Sequence, residues 1–110
     1  LELVERLDAA AVPLFAITNF GHDLWHAFRR TQPVFDRFRD IVVSGTERVM
    51  KPDPMIYRLA IERFGIDPAG ALFVDDVAAN VAGAQSVGIA GHVFRDAGAL
   101  ERDLCARGYL

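Results

Sequence analysis

Two short stretches of this sequence place reactive side chains directly after apolar runs. Thr18-Asn19 follows Leu14-Phe15-Ala16-Ile17, and Asp75-Asp76 follows Ala71-Leu72-Phe73-Val74. Between them, Lys51 opens the segment Lys51-Pro52-Asp53-Pro54. One acid after a strand is explained by capping the next helix. Two adjacent acids are not, because like charges repel and each favours water. A hard cation held between oxygen ligands accounts for the pair, and Mg2+ suits so lean a set because it keeps several waters and takes one or two carboxylates. The expected division of labour is then simple. Asp75 and Asp76 hold the metal on one side of a phosphoryl group. Lys51 offsets charge on the other side and keeps the acids ionised, while Thr18, with Asn19 beside it, donates to the non-bridging oxygens. Phosphoryl transfer is catalysed mainly by such positioning and electrostatics.

These residues need a frame that brings them together. Leu1 to Ala11 reads as a helix with Leu3, Val4 and Leu7 on one face, ended by Pro13. Leu14 to Ile17 reads as a buried strand, His22 to Arg30 as a helix, and Ile41-Val42-Val43 as a second strand closed by Ser44-Gly45. Asp53 before Pro54 has the form of an N-cap followed by proline at the first helical position, predicting a helix over Met55 to Phe64 that Gly65 stops. Ala71 to Val74 is a third strand. A helix rich in small residues follows from Val77 to Val87, and its composition lets it lie close to a neighbour. Ala90 to Phe94 is a weaker fourth strand and Gly98 to Ala106 a final helix. Alternating helices and continuously apolar strands predict a single α/β domain over residues 1–110, a three-layer sandwich with a mostly parallel sheet. In such sheets ligands bind beyond the carboxyl ends of the strands, where Thr18, Lys51 and the acidic pair fall.

Composition narrows the function classes. With 52% apolar and 25% charged residues, the 110-residue chain is an ordinary globular composition. A net charge of −3 provides no basic field for nucleic acid. No apolar run approaches the roughly 20 residues of a membrane span, and Ala9 to Ile17 is interrupted by Pro13. The single cysteine, Cys105, cannot form an internal disulfide, which fits a reducing compartment and a cytoplasmic protein.

Taken together, the motifs resemble the haloacid dehalogenase superfamily in its branch with a helical cap, over roughly Leu14 to Phe94. Phe15-Ala16-Ile17-Thr18-Asn19 resembles the second family motif, and Lys51-Pro52-Asp53-Pro54-Met55-Ile56-Tyr57 the third. Leu72-Phe73-Val74-Asp75-Asp76, followed by Asn80, Ala84 and Gly88, resembles the fourth. The resemblance implies a Rossmann-like core and a Mg2+-dependent phosphatase acting on a small phosphorylated metabolite. Thr18 would bind the transferring group, Lys51 would neutralise charge, and Asp75 and Asp76 would hold Mg2+. The text around His22 to Arg30 is similar to sugar-phosphate phosphatases.

The first family motif, a strand ending in Asp-x-Asp, has no counterpart in the sequence. Its first Asp is the family's nucleophile, which becomes an aspartyl phosphate, and its second is a general acid and base. We therefore expect an upstream segment of the same protein to supply that strand, between the strands ending at Thr18 and Asp75, together with the cap. Without it the chain is expected to be inactive and, with unpaired strand edges, poorly stable.

Three alternatives stand beside the phosphatase. Dehalogenases of the superfamily attack carbon and need no metal, and the resemblance implies that their fourth motif tends to lack an acidic pair. Receiver domains of signalling proteins use an acidic pair, a hydroxyl and a lysine, but there the acidic pair comes first; here the order is Thr18, Lys51, Asp75-Asp76. A domain that has lost activity is the third. His22 and His26 sit four apart without a third metal ligand in view and read as surface residues. Trp25 and Phe28 are expected to contact the cap or a second subunit, which leaves a homodimer open, and Phe35 and Phe38 read as core. Asn19 either touches substrate or holds its loop, and Asn80 is expected to brace the loop after Asp76.

Overall fold

Each of the four apolar runs forms a short strand in the computed structural model, which describes residues 2–110. The strands are β1 (Phe15–Thr18), β2 (Asp40–Val43), β3 (Leu72–Asp75) and β4 (Ala90–Val93). β1 pairs with β2 in parallel, with Thr18 opposite Val43. β3 pairs with β4 in parallel, with Asp75 opposite Val93. Among the described residues no ladder joins one pair to the other.

The helices are α1 (Glu2–Ala9), α2 (His22–Arg30), α3 (Ser44–Glu47), α4 (Pro54–Phe64), α5 (Ala78–Gln85) and α6 (Ala97–Ala106). The start of α4 follows its sequence signal: Asp53 Oδ1 accepts from the Met55 N–H at 2.9 Å, and Gly65 ends the helix at φ 64°. Ile56, Tyr57 and Ala60 of α4 are buried with Val42 of β2, Ala84 of α5 and Ile89. Ile17 of β1 and Phe73 of β3 pack against the same cluster. One apolar core therefore spans both strand pairs although no backbone ladder does. On α1, Arg6 reaches Glu101 of α6, and Asp8 accepts from Arg37 at 2.9 Å.

Several sequence expectations need adjustment. Thr18 and Asp75 are the last residues of their strands, not the first beyond them, so ladder pairing fixes their backbones directly. The segment after β2, read only as the Ser44-Gly45 close of the strand, forms α3, ended by the Arg48 N–H donating to the Ser44 carbonyl at 2.8 Å. Pro33–Arg37 forms a 3-10 turn that the apolar pattern did not signal. Trp25 does not face outward toward a cap or second subunit. It is only 6% exposed and lies edge-on to Phe35 at 5.1 Å and to Phe20 at 5.8 Å. An aromatic side chain of that size gains more from a local cluster than from water. Phe28, stacked on Phe20 at 5.0 Å, stays partly exposed.

The small residues of α5 do permit close approach. A Cβ on Gly83 would lie 2.6 Å from the Pro52 carbonyl oxygen and 2.7 Å from Cε2 of Tyr57. Tyr57 is fully buried and cannot swing aside. Gly83→Ala is therefore expected to push α5 away from the segment carrying Lys51. Overpacking costs about 1–3 kcal/mol, and the better helix propensity of alanine returns about 1. A net loss of up to about 2 kcal/mol should appear as a lower urea midpoint at unchanged slope. A raised midpoint would contradict this packing.

Candidate functional site

At the carboxyl end of β3, Asp75 accepts a hydrogen bond from Lys51 Nζ at 2.7 Å. Both side chains are largely withdrawn from water, Lys51 at 12% and Asp75 at 8% exposure. Asn80 Nδ2 donates to the same carboxylate oxygen at 3.2 Å, and the Val77 N–H donates to the other at 2.9 Å. Burial alone would push the Asp75 carboxyl up. The hydrogen bonds from Lys51, Val77 and Asn80, with the lysine charge, outweigh it and hold Asp75 below the ordinary carboxylate range.

A second layer holds the first. Asn80 is buried, and its carbonyl accepts from the Tyr57 hydroxyl at 2.6 Å. Burial, reinforced by the Asp75 charge, pushes the Tyr57 phenol up to about 12, so it remains a donor at neutral pH. Lys51 is also fixed through its main chain. Asn19 Nδ2 donates to the Lys51 carbonyl at 3.1 Å, and the Lys51 N–H donates to Asn19 Oδ1 at 2.9 Å. The end of β1, the segment before α4 and the end of β3 are thus tied into one array.

The two acids, treated alike in the sequence reading, separate in the structure. Asp75 is committed to Lys51, Asn80 and the Val77 N–H. Asp76, one residue past the strand, is exposed. Among the described residues no group of three or more His, Cys, Asp or Glu side chains converges on a metal position. The donor set fits one carboxylate's share of a Mg2+ shell, from Asp76, with the remaining oxygens to come from water, substrate or other protein groups. Thr18 ends β1, half-buried and adjacent to Asn19. His22 and His26 do not form a metal pair with a third ligand: His22 Nδ1 lies 2.9 Å from the Thr46 hydroxyl, and the two rings meet edge-on.

Tyr57 is the site member the sequence reading left without a role. Its signal was faint: a tyrosine on the apolar face of a helix needs a buried acceptor for its hydroxyl, and the acceptor here is a backbone carbonyl 23 residues away.

The arrangement is an α/β core with a buried lysine–carboxylate pair at the carboxyl end of a strand. A family model of haloacid dehalogenase-like hydrolases matches residues 1–88, and the chain belongs to that family. It is 32% identical over 89 residues to the sesquiterpene phosphatase astK of Aspergillus oryzae, covering 81% of this chain and 45% of that protein. It is 36% identical over 104 residues to flavin mononucleotide hydrolase 1 of Arabidopsis thaliana, covering 94% and 42% respectively. Similarity extends to (S)-2-haloacid dehalogenase 4A of Burkholderia cepacia, at 30% identity over 79% of this chain and 38% of that one. A family enzyme from Bacteroides thetaiotaomicron, solved as an Asp12Ala mutant with magnesium and inorganic phosphate, superposes with a TM-score of 0.77 at 25% identity, over 92% of this chain and 55% of that structure. The chain spans less than half the length of these curated relatives.

Proposed function

We propose that the protein containing this chain is a Mg2+-dependent phosphatase acting on a small phosphate monoester. The observation that carries the reading is the buried Lys51–Asp75 pair at 2.7 Å beside an uncommitted Asp76. In this reading the pair holds a positive charge in position to meet the phosphoryl oxygens. It also leaves one carboxylate free for a cation. Relatives that are phosphatases, and a family structure holding magnesium with inorganic phosphate, support the same reading.

In this proposal Lys51 neutralises charge on the phosphoryl group, and the Thr18 hydroxyl donates to one of its oxygens. Asp76 holds the metal, which when bound supplies further positive charge at those oxygens. Asp75 holds Lys51 in position. Asn19 has both ends of its amide on the Lys51 main chain and so acts through Lys51. The nucleophile is a carboxylate on a strand from another part of the protein, lying between β1 and β3. Its oxygen forms a bond to phosphorus as the ester oxygen leaves with a proton from a neighbouring acid, and water then releases orthophosphate.

The decisive assay uses the full-length protein. Hydrolysis of a phosphate monoester should vanish with EDTA and return with Mg2+, while 2-chloropropionate should yield no chloride. Chloride release that survives EDTA would make the protein a dehalogenase instead. The 110-residue chain alone should release no phosphate.

A further inference from the structure

Lys51 carries its charge at the end of a long flexible stem, so the ammonium stays at one point only if its surroundings hold it there. Two groups touch it directly. Asp75 accepts from Nζ at 2.7 Å, and the ring of Phe73, on the same strand, lies beneath Nζ with its centroid 5.7 Å away, within reach of a cation–π contact. Tyr57 supports both. Its hydroxyl donates at 2.6 Å to the carbonyl of Asn80, whose side chain bonds the same Asp75 oxygen that Lys51 does. Its ring meets Phe73 edge-on at 5.3 Å. Neither contact has room to drift. Tyr57 is fully buried, Asn80 is buried, and a Cβ on Gly83 of α5 would fall 3.1 Å from the Tyr57 hydroxyl. Packing does not account for that hydroxyl, since phenylalanine would fill the same core volume with no polar group to satisfy. Its hydrogen bond goes to the residue that orients Asp75.

We infer that Tyr57 is a positioning residue for the phosphatase: through Asn80 on one side and Phe73 on the other, it fixes the point at which the Lys51 ammonium meets the phosphoryl group. The inference rests on the phosphatase reading and adds to it a residue too deeply buried to touch substrate. Charge stabilisation depends on groups already in place when the reaction begins, and a displacement of about 1 Å costs up to about 100-fold in rate. Removing the hydroxyl frees Asn80 to shift, and the Asp75 carboxylate and the ammonium it holds shift with it.

The test measures kcat of the full-length protein for 4-nitrophenyl phosphate at saturating Mg2+, with Tyr57→Phe placed in two backgrounds, the parent and Lys51→Met. In the parent background kcat should fall by about 10- to 100-fold. With Lys51 already replaced, the same change should alter kcat by less than about 2-fold, because no ammonium is left to misplace. Phe73→Leu removes the ring beneath the ammonium and spares the side-chain hydrogen bonds of the array. It should follow the same pattern, with a loss of at least about 3-fold in the parent background, and it carries the test if Tyr57→Phe does not fold. Leu104→Val, in α6 and outside the core cluster that holds Tyr57, serves as the control for stability. It should lower the urea midpoint and leave kcat within about 2-fold of the parent. Equal fold-losses in the two backgrounds, no loss in the parent background, or an equal loss in Leu104→Val overturns the inference and leaves the phosphatase reading standing. Absence of Mg2+-dependent hydrolysis by the parent overturns both.

Discussion

Lys51→Met in the full-length protein is expected to cut kcat for a phosphate monoester by about 1,000-fold and to remove about 3 kcal/mol of stability. The two losses have separate causes. On the proposed reading, catalysis loses the ammonium that neutralises charge on the phosphoryl group. Stability falls because Asp75, at 8% exposure, keeps its burial and loses its counter-charge. Asn80 and the Val77 N–H remain as donors, which limits the loss to about 3 kcal/mol. Acid should separate the two proteins further. In the parent, the native Asp75 value is depressed below 3.8, so its contribution is present above pH 3.8 and disappears as pH falls through the native value. In Lys51→Met, burial acts with less opposition and the native value rises. Protonation then relieves the buried charge, and the stability deficit should shrink as pH is lowered from 7 toward 4. Urea midpoints measured across that range decide the matter, and a deficit independent of pH would mean the pair is not coupled as described. The double variant Lys51→Met, Asp75→Leu should recover most of the stability and none of the turnover, because a hydrophobic pair can replace a buried ion pair structurally but not chemically.

The parts of this site that could be read from the sequence are those where local and tertiary demands coincide. An apolar tetrad followed by a polar residue makes a buried strand and a strand-end side chain in any parallel α/β protein, so Thr18 and Asp75 were located to within one residue. Asp53-Pro54 and Gly65 specify a helix by backbone geometry alone, and α4 begins and ends where they place it. The small residues of α5 signalled a close approach, which Gly83 makes against Pro52 and Tyr57. What stayed hidden depends on distant partners. Asn19 looks like a substrate ligand until the main chain of Lys51, 32 residues on, is seen between its two amide atoms. Trp25 looks outward-facing on a polar helix until Phe35 covers it. The inequality of Asp75 and Asp76 is also tertiary: adjacent strand residues face opposite ways, but only the location of Lys51 decides which acid is consumed.

That inequality yields the sharpest contrast in the molecule. Asp76→Asn is expected to lower kcat by about 100- to 1,000-fold while shifting unfolding free energy by no more than about 0.5 kcal/mol. Asp76 is exposed, so replacing its charge leaves nothing buried and unpaired. Its whole effect should fall on the cation. The Mg2+ concentration for half-maximal activity should rise by about 10-fold or more, and added Mg2+ should restore part of the lost rate. Asp75→Asn should behave in the opposite way: it disturbs the partner of Lys51 and lowers the urea midpoint, because the buried ammonium then faces an amide in place of a carboxylate. If Asp76→Asn destabilises the protein as much as Asp75→Asn, or leaves the Mg2+ dependence where it was, the two acids do not divide structure and metal binding between them. In that case the cation must be held by groups outside this strand end, and Asp76 would be no more than a solvated residue at the start of a turn.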